Sequence, residues 1–363
     1  MDTREKIKDY YSKVTTEDGG KMQSSVCSCS TKNMPRAYRK IIRKIDKEIK
    51  DHFYGCGSPI PDVLAGQTVL DLGCGTGRDC YLISKLVGEE GHVIGVDMNE
   101  DQLAIAKKHQ DKMASQWGFK QSNLTFKQGY IEDLQALDIE DESIDIVISN
   151  CVINLSPFKE AVFKEIWRVL KPGGELYFSD VFVDRRLPKA ISEHPVLQGE
   201  CLGGALYTED FRRLMNQVGW LDFRYTNTSK SAINNPKLEA IIGNANFYSR
   251  TVRAFKLPAL LEDRCENYGQ IAIYQGDLPG SEQRFALDDT LTFYRDEPQL
   301  VCGNTAAMLE ETRFAPYFKI LGDRSQHFGS FQPKAWAGEP LTSTSCQATS
   351  SASSPTCGGS GCC

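Results

Sequence analysis

The chain lacks the marks of membrane, secreted and nucleic-acid-binding proteins. It has no run of about eighteen apolar residues, so no transmembrane helix is predicted. The N-terminus, Met1-Asp-Thr-Arg-Glu-Lys6, is charged and no apolar segment follows it, so no signal peptide is predicted. The formal net charge of -6 over 363 residues offers no basic excess for nucleic acid. We therefore expect a cytoplasmic protein with no membrane partner and no nucleic-acid partner.

The thirteen cysteines lack the pattern of a zinc site. No Cys-x-x-Cys pair is present, and the chain has only five histidines. In a reducing compartment the cysteines do not form a structural disulfide framework either. Two explanations remain: small buried hydrophobic residues, as expected for Cys74 and Cys80, or thiols that meet in three dimensions around a soft ligand.

Strand and helix patterns alternate between residues 68 and 179 and predict a doubly wound parallel sheet. The predicted strands are 68–72, 92–97, 124–127, 144–149 and 175–179, and the predicted helices are 78–86, 100–116 and 159–170. Lys171-Pro-Gly-Gly174 is expected to stop the last of these helices.

The flanking regions follow other patterns. Before the sheet, a polar segment at residues 2–13 is followed by an amphipathic helix from Pro35 to near Gly55. After it, Thr208 is predicted to cap a helix over 209–218. Further predicted elements are a helix at 236–242 and strands near 223–226, 248–255, 271–274 and 291–294, which together suggest a small α+β unit attached to the sheet.

Three glycines, Gly73, Gly75 and Gly77, follow the first predicted strand and open a helix. Glycine permits a tight turn and a close approach of a ligand to the backbone. The loop is not a P-loop, because Arg78-Asp79 stands where Lys-Ser/Thr would follow. Its spacing is G-x-G-x-G, which differs from the G-x-G-x-x-G of dinucleotide-binding folds.

Carboxylates around this loop indicate a cationic nucleoside ligand. Asp71, two residues before Gly73, would repel a pyrophosphate but suits the sulfonium and ammonium of S-adenosylmethionine. Asp97 ends the next strand, where a carboxylate can accept from the ribose hydroxyls. Glu132 is placed to meet the adenine amine, with Ile131 against the ring. The full set of predicted cofactor-binding residues is Tyr54, Asp71, Gly73, Gly75, Gly77, Asp97, Met98, Ile131, Glu132 and Asn150.

Three cysteines fall where a methyl acceptor is expected. Cys151 follows the fourth strand, Cys201 follows the fifth, and Cys56 precedes the first. Core packing explains each of them equally well when taken singly. Glycines flank Cys56 and Cys201, which argues against burial in a deep core. Three converging thiolates would suit trivalent arsenic, whose remaining lone pair can attack a sulfonium methyl group without a general base.

The sequence resembles the arsenite methyltransferases. The resemblance spans residues 10–330 and is carried by Tyr54-Gly-Cys-Gly57, Leu70-Asp-Leu-Gly-Cys-Gly-Thr-Gly-Arg-Asp-Cys-Tyr81, Gly95-Val-Asp-Met98, Ser149-Asn-Cys-Val-Ile-Asn-Leu155 and Gly199-Glu-Cys-Leu-Gly-Gly-Ala-Leu-Tyr207. The glycine loop is common to methyltransferases at large, whereas the surroundings of Cys151 and Cys201 are specific to this family. The resemblance implies a seven-stranded-type class I methyltransferase fold, Rossmann-like, with an added α+β substrate domain.

The resemblance also implies roles for the cysteines. Cys151, Cys201 and Cys56 would hold trivalent arsenic, supplied as arsenite or its thiol conjugate. Cys27 would form a transient disulfide with Cys56, reopened by glutathione or thioredoxin. Cys29 stands beside Cys27, so either could be the redox partner. Cys265 receives no role.

The chain is predicted to divide into four regions. These are an N-terminal helical segment (1–60), a methyltransferase domain (61–205), a substrate domain (206–300) and a C-terminal region (301–363) that ends in a disordered, cysteine-containing tail. A monomer is expected. Two other hypotheses stay open: a C- or O-methyltransferase whose cysteines only pack, and a thiol-rich metalloid-binding protein with a vestigial donor site.

Overall fold

Five adjacent parallel strands form most of an eight-stranded sheet, beginning at one of its edges. The sheet is built from β1 (Thr68–Leu72), β2 (His92–Asp97), β3 (Leu124–Gln128), β4 (Ile144–Asn150), β5 (Leu170–Val183), β6 (Leu206–Tyr207), β7 (Phe223–Lys230) and β8 (Phe247–Phe255). Their order is β3-β2-β1-β4-β5-β8-β7, and β6 pairs with β5 in parallel. Strand β8 runs antiparallel to both of its neighbours, β5 and β7. The computed structural model describes residues 3–16, Ser24 and residues 34–332.

Helices cover both faces of the sheet, as expected for a doubly wound fold. They are α1 (Thr3–Thr16), α2 (Arg36–Lys44), α3 (Lys47–Asp51), α4 (Arg78–Val87), α5 (Glu100–Lys108), α6 (Gln110–Trp117), α7 (Lys159–Val169), α8 (Lys189–Ser192), α9 (Pro195–Gly199), α10 (Thr208–Val218), α11 (Pro236–Ile242) and α12 (Gly303–Glu310). Short 3-10 helices occur at Gln135–Leu137, Ile153–Leu155 and Ala315–Tyr317. Within the described residues, no helix is long and apolar enough to cross a membrane.

Alternate residues of the central strands enter two separate cores. Val69 packs with Ile146 and Ile148 on the face covered by α4, whereas Leu70 packs with Val147 on the face covered by α7. Successive side chains of a strand point to opposite faces, so a strand buried on both faces is apolar throughout. This is why these strands were predictable as short apolar runs.

The remaining strands form two small sheets near the C-terminal end of the described chain. Strands β9 (Ile271–Tyr274), β12 (Pro298–Leu300) and β13 (Phe318–Leu321) pair in the order β12-β9-β13, and β10 (Arg284–Ala286) pairs with β11 (Thr292–Tyr294). A third hydrophobic core, which includes Phe285, Phe293 and Phe314, lies under them. The fully buried Glu175 of β5 accepts a hydrogen bond from Arg253 at 2.6 Å and another from Arg313.

Two helices predicted as continuous are each divided. The predicted helix from Pro35 breaks at Ile45, whose ψ is 144°, and Asp46 then caps α3 by accepting from the amide of Glu48 at 3.0 Å. The predicted helix over 100–116 breaks at His109 into α5 and α6. Apolar periodicity continues through both breaks, which is why it did not reveal them.

Other boundaries also differ from the prediction. Helix α7 ends at Val169, just before Lys171-Pro-Gly-Gly174, as predicted, but the next strand already begins at Leu170 rather than at residue 175 and runs to Val183. Thr208 is the first residue of α10 rather than its cap, and its hydroxyl accepts from Arg250 at 3.0 Å.

The α+β unit after residue 205 was predicted to be attached to the sheet, and two of its strands are part of the main sheet itself. Strands β7 and β8 extend it, with Glu175 opposite Phe255 in the register of β5 and β8. The sheet therefore crosses the domain boundary predicted at residues 205 and 206. An isolated strand pattern does not specify which sheet the strand joins.

Candidate active site

A cleft opens at the carboxyl ends of β1 to β4, the edge at which parallel α/β sheets bind ligands. Its empty volume is about 1050 Å3, counted to the open surface. Nine of the ten predicted cofactor-binding residues line it: Tyr54, Asp71, Gly73, Gly75, Asp97, Met98, Ile131, Glu132 and Asn150. Gly77 is the one that does not.

The three glycines form the turn between β1 and α4, with positive φ angles of 74°, 54° and 83° in order. A Cβ atom on Gly73 would lie 2.4 Å from the side chain of Val152, so a side chain there would collide with the loop after β4. Gly77 is the N-cap residue of α4, and its Cβ would lie 3.1 Å from the ring of Phe126. Gly73 and Gly75 thus leave room for a ligand at the bottom of the cleft, whereas Gly77 lets the start of α4 pack against Phe126.

Asp71 lies at the bottom of the cleft and is 3% exposed. Burial, with a further contribution from Asp79, raises the pKa of Asp71 to about 8, and Arg78 offsets this only in part. Cys80 donates a hydrogen bond from its thiol to the carboxylate at 3.2 Å. Because burial disfavours the ionised form of Asp71, a cationic ligand beside it would stabilise that form.

Asp97 is fixed between two loops of the cleft. One carboxylate oxygen accepts from the amide of Gly75 at 2.8 Å, and the other accepts from the amide of Asn99 at 2.8 Å. Burial raises its pKa, while these bonds lower it. The carboxylate is therefore held in one orientation before any ligand binds.

Glu132 stands at the far end of the cleft, after β3. Its Oε1 accepts from the hydroxyl of Ser156 at 3.3 Å and lies 3.9 Å from the guanidinium of Arg4. Ile131 beside it is 6% exposed. A polar group and an apolar surface thus adjoin, as a purine ring requires.

Helix α1 covers part of the cleft, which the sequence reasoning missed. Arg4, Ile7, Lys8 and Tyr11 line it, although this segment was predicted to be only a polar stretch. Tyr10, on the neighbouring position, donates a hydrogen bond from its hydroxyl to Glu200 at 3.0 Å. The available signal was the spacing of Ile7, Tyr10 and Tyr11, which puts three large residues on one helical face.

Cys56 and Cys151 are joined by a disulfide, with their Cα atoms 5.8 Å apart. Cys151 lines the cleft and Cys56 does not. A carboxylate oxygen of Asp180 and the two sulfurs all lie within 4.8 Å of one another. The resemblance implied a bond from Cys56 to Cys27. In the structure Cys56 is paired with Cys151. Cys27 and Cys29 lie outside the described residues, so their transient pairing with Cys56 stays a prediction.

Cys201 adjoins this pair, and its thiol donates to the carbonyl oxygen of Cys151 at 2.9 Å. We call Cys56, Cys151 and Cys201 the thiol cluster. Cys151 and Cys201 both adopt the left-handed region, with φ angles of 60° and 63°. Strained backbone of this kind is concentrated at functional sites, because the surrounding structure must hold it.

The expectation that the glycines around Cys201 keep it out of the core is wrong. Cys201 is fully buried. A Cβ atom on Gly204 would lie 1.9 Å from the carbonyl oxygen of Asn154, and one on Gly199 would lie 2.6 Å from the ring of Tyr10. These glycines permit close packing and so bury the cysteine between them. Cys74 and Cys80 are buried, as predicted.

Asn150 connects the thiol cluster to the cleft. Its Oδ1 accepts from the amide of Gly57 at 3.2 Å, and its Nδ2 donates to the carbonyl of Gly57 at 3.0 Å. The same Nδ2 donates to Asp79 at 3.1 Å. The side chain therefore fixes the segment that carries Cys56 against the end of β4.

Asp180 is a second site residue that the sequence reasoning missed, because the predicted strand stopped at Ser179. It is 1% exposed, and burial raises its pKa to about 7. It accepts from the amides of Asn154 at 3.0 Å and Val181 at 2.8 Å. The available signal was a single acid within the apolar run Leu176–Val183.

Comparisons with known proteins agree with this geometry. A family model described as a methyltransferase domain matches residues 64–219, and one described as an arsenite methyltransferase C-terminal domain matches residues 267–363. An arsenite methyltransferase of Aquipseudomonas alcaligenes is 46% identical over 328 residues, covering 90% of this chain and 93% of the relative. The human arsenite methyltransferase is 42% identical over 315 residues, covering 86% of this chain and 82% of the relative.

A solved structure extends the likeness to three dimensions. The arsenic(III) S-adenosylmethionine methyltransferase of Chlamydomonas reinhardtii is 50% identical, with a TM-score of 0.80 over 82% of this chain and 99% of that chain. This chain has the class I methyltransferase sheet, the cleft at its carboxyl edge and the adjoining cysteines. Its sequence identity to these arsenite methyltransferases extends over most of their length. This chain belongs to the arsenite methyltransferase family.

Proposed function

We propose that this chain transfers the methyl group of S-adenosylmethionine to trivalent arsenic held by the thiolates of Cys56, Cys151 and Cys201. The observation that carries the proposal is the position of Cys151, which lines the cleft and is also bonded to Cys56 and adjacent to Cys201. Donor and acceptor would therefore meet at one residue.

The cleft fits the donor by its charges. S-adenosylmethionine brings a methyl group on a positively charged sulfur. Asp71 would become ionised beside the cationic end of the ligand, which offsets the effect of burial on its pKa. Asp97, already oriented by Gly75 and Asn99, would accept from the ribose hydroxyls. Glu132 and Ile131 would bind the adenine, with Tyr54 and Met98 along the wall.

The thiol cluster would act by positioning. Three As–S bonds leave a lone pair on arsenic, which forms the new As–C bond as the S–CH3 bond breaks. No proton leaves the nucleophile, so no general base is required. Orientation of this kind can lower a barrier by about 7–11 kcal/mol. The hydrogen bonds from Asn150 to Gly57 would keep Cys56 in place during the transfer.

A redox step follows from the electron balance. Methyl transfer uses the lone pair and raises arsenic from the trivalent to the pentavalent state. Two thiolates return it to the trivalent state by giving up two electrons and forming a disulfide, and exchange with two thiols of glutathione or thioredoxin reopens that disulfide. The Cys56–Cys151 bond is one product such a step would leave. Pairing of Cys27 with Cys56 stays a prediction.

Methylarsenical production tests the proposal. Reduced full-length protein is supplied with arsenite, S-adenosylmethionine and glutathione or thioredoxin, and the products are separated and quantified. We expect Cys151→Ser to lose about 100-fold or more of the rate, with donor affinity near wild type. Cys80→Ser is the matched control: it removes an equally buried thiol, and its hydroxyl keeps a donor toward Asp71. No product from the wild-type chain, or an undiminished rate in Cys151→Ser, would refute the proposal.

A further inference from the structure

A second pair of thiols lies apart from the cleft and the thiol cluster. The sulfurs of Cys265 and Cys302 are 3.1 Å apart, although 37 residues separate them in sequence. Cys302 is the N-cap residue of α12 and is 2% exposed, whereas Cys265 is partly exposed. The methyl transfer proposed above uses neither residue.

Polar groups converge on these two sulfurs from a neighbouring strand and helix. Nη2 of Arg224, on β7, lies 3.8 Å from the sulfur of Cys265 and 3.9 Å from that of Cys302. The hydroxyl of Thr305, on α12, lies 3.3 Å from the sulfur of Cys302. Arg224 is itself held by Asp222 at 2.8 Å and by Asp288 at 3.2 Å. A partly buried cation and a hydroxyl directed at a thiol pair differ from the apolar surroundings of a packing cysteine.

The two thiols differ in acidity. Hydrogen bonding with Cys265 lowers the pKa of Cys302, with smaller contributions from Thr305 and Arg224. The same bond raises the pKa of Cys265. One sulfur is therefore suited to begin an attack, and the other is within reach to complete it.

We propose that Cys265 and Cys302 form a second binding site, which takes a trivalent arsenical bearing one carbon substituent. Such a species, RAs(OH)2, has two exchangeable As–O bonds, which matches two thiols. Binding breaks two S–H and two As–O bonds, forms two As–S and two O–H bonds, and releases two waters. Arsenic stays trivalent, so no oxidant or reductant is needed.

The number of thiols distinguishes this site from the thiol cluster. Arsenite has three exchangeable As–O bonds and is best matched by three thiolates, whereas a monosubstituted arsenical has only two. The inference rests on the proposed function only for the source of the arsenical, since a monomethylated product would be of this class. Binding itself requires neither the donor nor methyl transfer.

Protection from alkylation tests the site directly. Reduced full-length protein is treated with phenylarsine oxide without S-adenosylmethionine, then with N-ethylmaleimide, and the peptides containing Cys265 and Cys302 are quantified by mass spectrometry. At a probe concentration of about ten times Kd, alkylation of Cys265 should slow about tenfold. In native digests the two peptides should be joined with the added mass of phenylarsenic less two hydrogens. A dithiol chelator should reverse both effects.

Two variants separate chelation from other causes. Cys302→Ser should leave Cys265 unprotected, and Cys265→Ser, at a partly exposed position, should leave no arsenic on the Cys302 peptide. Cys80→Ser should keep full protection. Equal alkylation of Cys265 with and without the probe, protection that survives Cys302→Ser, or peptides joined by a bare disulfide would each overturn the site. Because methyl transfer is not measured, none of these outcomes depends on whether arsenite is methylated.

Discussion

The cleft and the thiol cluster adjoin at Cys151, yet the chain builds them in different ways. Most of the cleft comes from the ends of β1, β2, β3 and β4 and the loops after them, in chain order, and α1 and the segment around Tyr54 complete it. The thiol cluster joins three distant segments: 95 residues separate Cys56 from Cys151, and 50 separate Cys151 from Cys201. One site follows from local sequence and the register of a parallel sheet, and the other exists only after the whole domain has folded.

Their chemistry differs as well. The cleft carries carboxylates and backbone amides, and burial disfavours the charge of Asp71 there. The thiol cluster lies in an apolar core with Val181, Leu197 and Phe247. A charged, oxygen-lined site suits a cation with hydroxyl groups, whereas sulfur in apolar surroundings suits a soft element. This difference predicts that S-adenosylmethionine and arsenite bind independently of each other.

Asp97→Ala gives the largest expected effect and tests that independence. It removes an oriented carboxylate, and hydrogen bonds to charged groups contribute about 1.5–3 kcal/mol each, so the Kd for S-adenosylmethionine should rise about 100-fold or more. Arsenite binding to the reduced protein should be unchanged. Isothermal titration calorimetry measures both. A parallel loss of arsenite binding would mean that the two sites cannot be separated.

The pH dependence of donor affinity tests the charge of the cleft. Burial raises the pKa of Asp71 to about 8, and a cation beside it favours its ionised form. Binding should therefore release a proton, and affinity should rise up to about tenfold per pH unit from pH 6 to pH 8, then level off. Asp71→Asn should bind more weakly and without this slope. A flat wild-type profile would show that Asp71 does not face the cation.

The same carboxyl has a predictable effect on stability without ligand. Its pKa in the folded protein lies above the unfolded value, so its contribution is fully present below pH 4 and is lost as pH rises through about 8. Asp71→Asn should accordingly raise the Tm relative to wild type more at pH 8.5 than at pH 5. Differential scanning calorimetry compares the two. An equal difference at both pH values would contradict the raised pKa.

Asn150→Ala sharpens the comparison, because this residue belongs to both regions. It would leave the backbone of Gly57 and the carboxylate of Asp79 without their shared partner, at about 1–3 kcal/mol for each unsatisfied group. We expect about a tenfold loss of donor affinity together with about a tenfold rise in KM for arsenite. Asn150→Asp is the isosteric control, since it keeps one acceptor for the Gly57 amide but loses both donations. An effect on one ligand alone would assign Asn150 to one region.

Glu132→Gln gives the smallest expected effect. The substitution keeps the shape and one acceptor oxygen but removes the charge. Donor affinity should fall about threefold to tenfold, the range of one neutral hydrogen bond, with no change in arsenite binding. The affinity of wild type and variant for adenosine, measured by competition with S-adenosylmethionine, isolates the contribution of Glu132 to adenine binding, because adenosine lacks the charged end of the donor. Unchanged adenosine affinity would remove Glu132 from the adenine site.

The contrast also explains what the sequence could reveal. The carboxylates of the cleft were predictable, since Asp71, Asp97 and Glu132 each lie near the end of a recognisable strand or follow one, but its α1 residues were not. The cysteines were predictable as a set but not in their pairing, because sulfur–sulfur distances depend on tertiary structure. Asp180 was missed because the predicted strand ended at Ser179, four residues before the end of β5 at Val183. The continuation of β7 and β8 into the main sheet leaves no local signal. The Cys265–Cys302 pair was invisible for the same reason as the thiol cluster, without a resemblance to reveal it.

X-ray absorption at the arsenic edge tests the central claim most directly. Reduced full-length protein is loaded with one arsenite per chain, and the first coordination shell of arsenic is measured. Three sulfur neighbours are expected in the wild type, and two sulfurs with one oxygen in Cys56→Ser, Cys151→Ser and Cys201→Ser, while Cys80→Ser should keep three. An oxygen-dominated shell in the wild type, or a sulfur count unchanged by all three substitutions, would contradict arsenic binding by the thiol cluster.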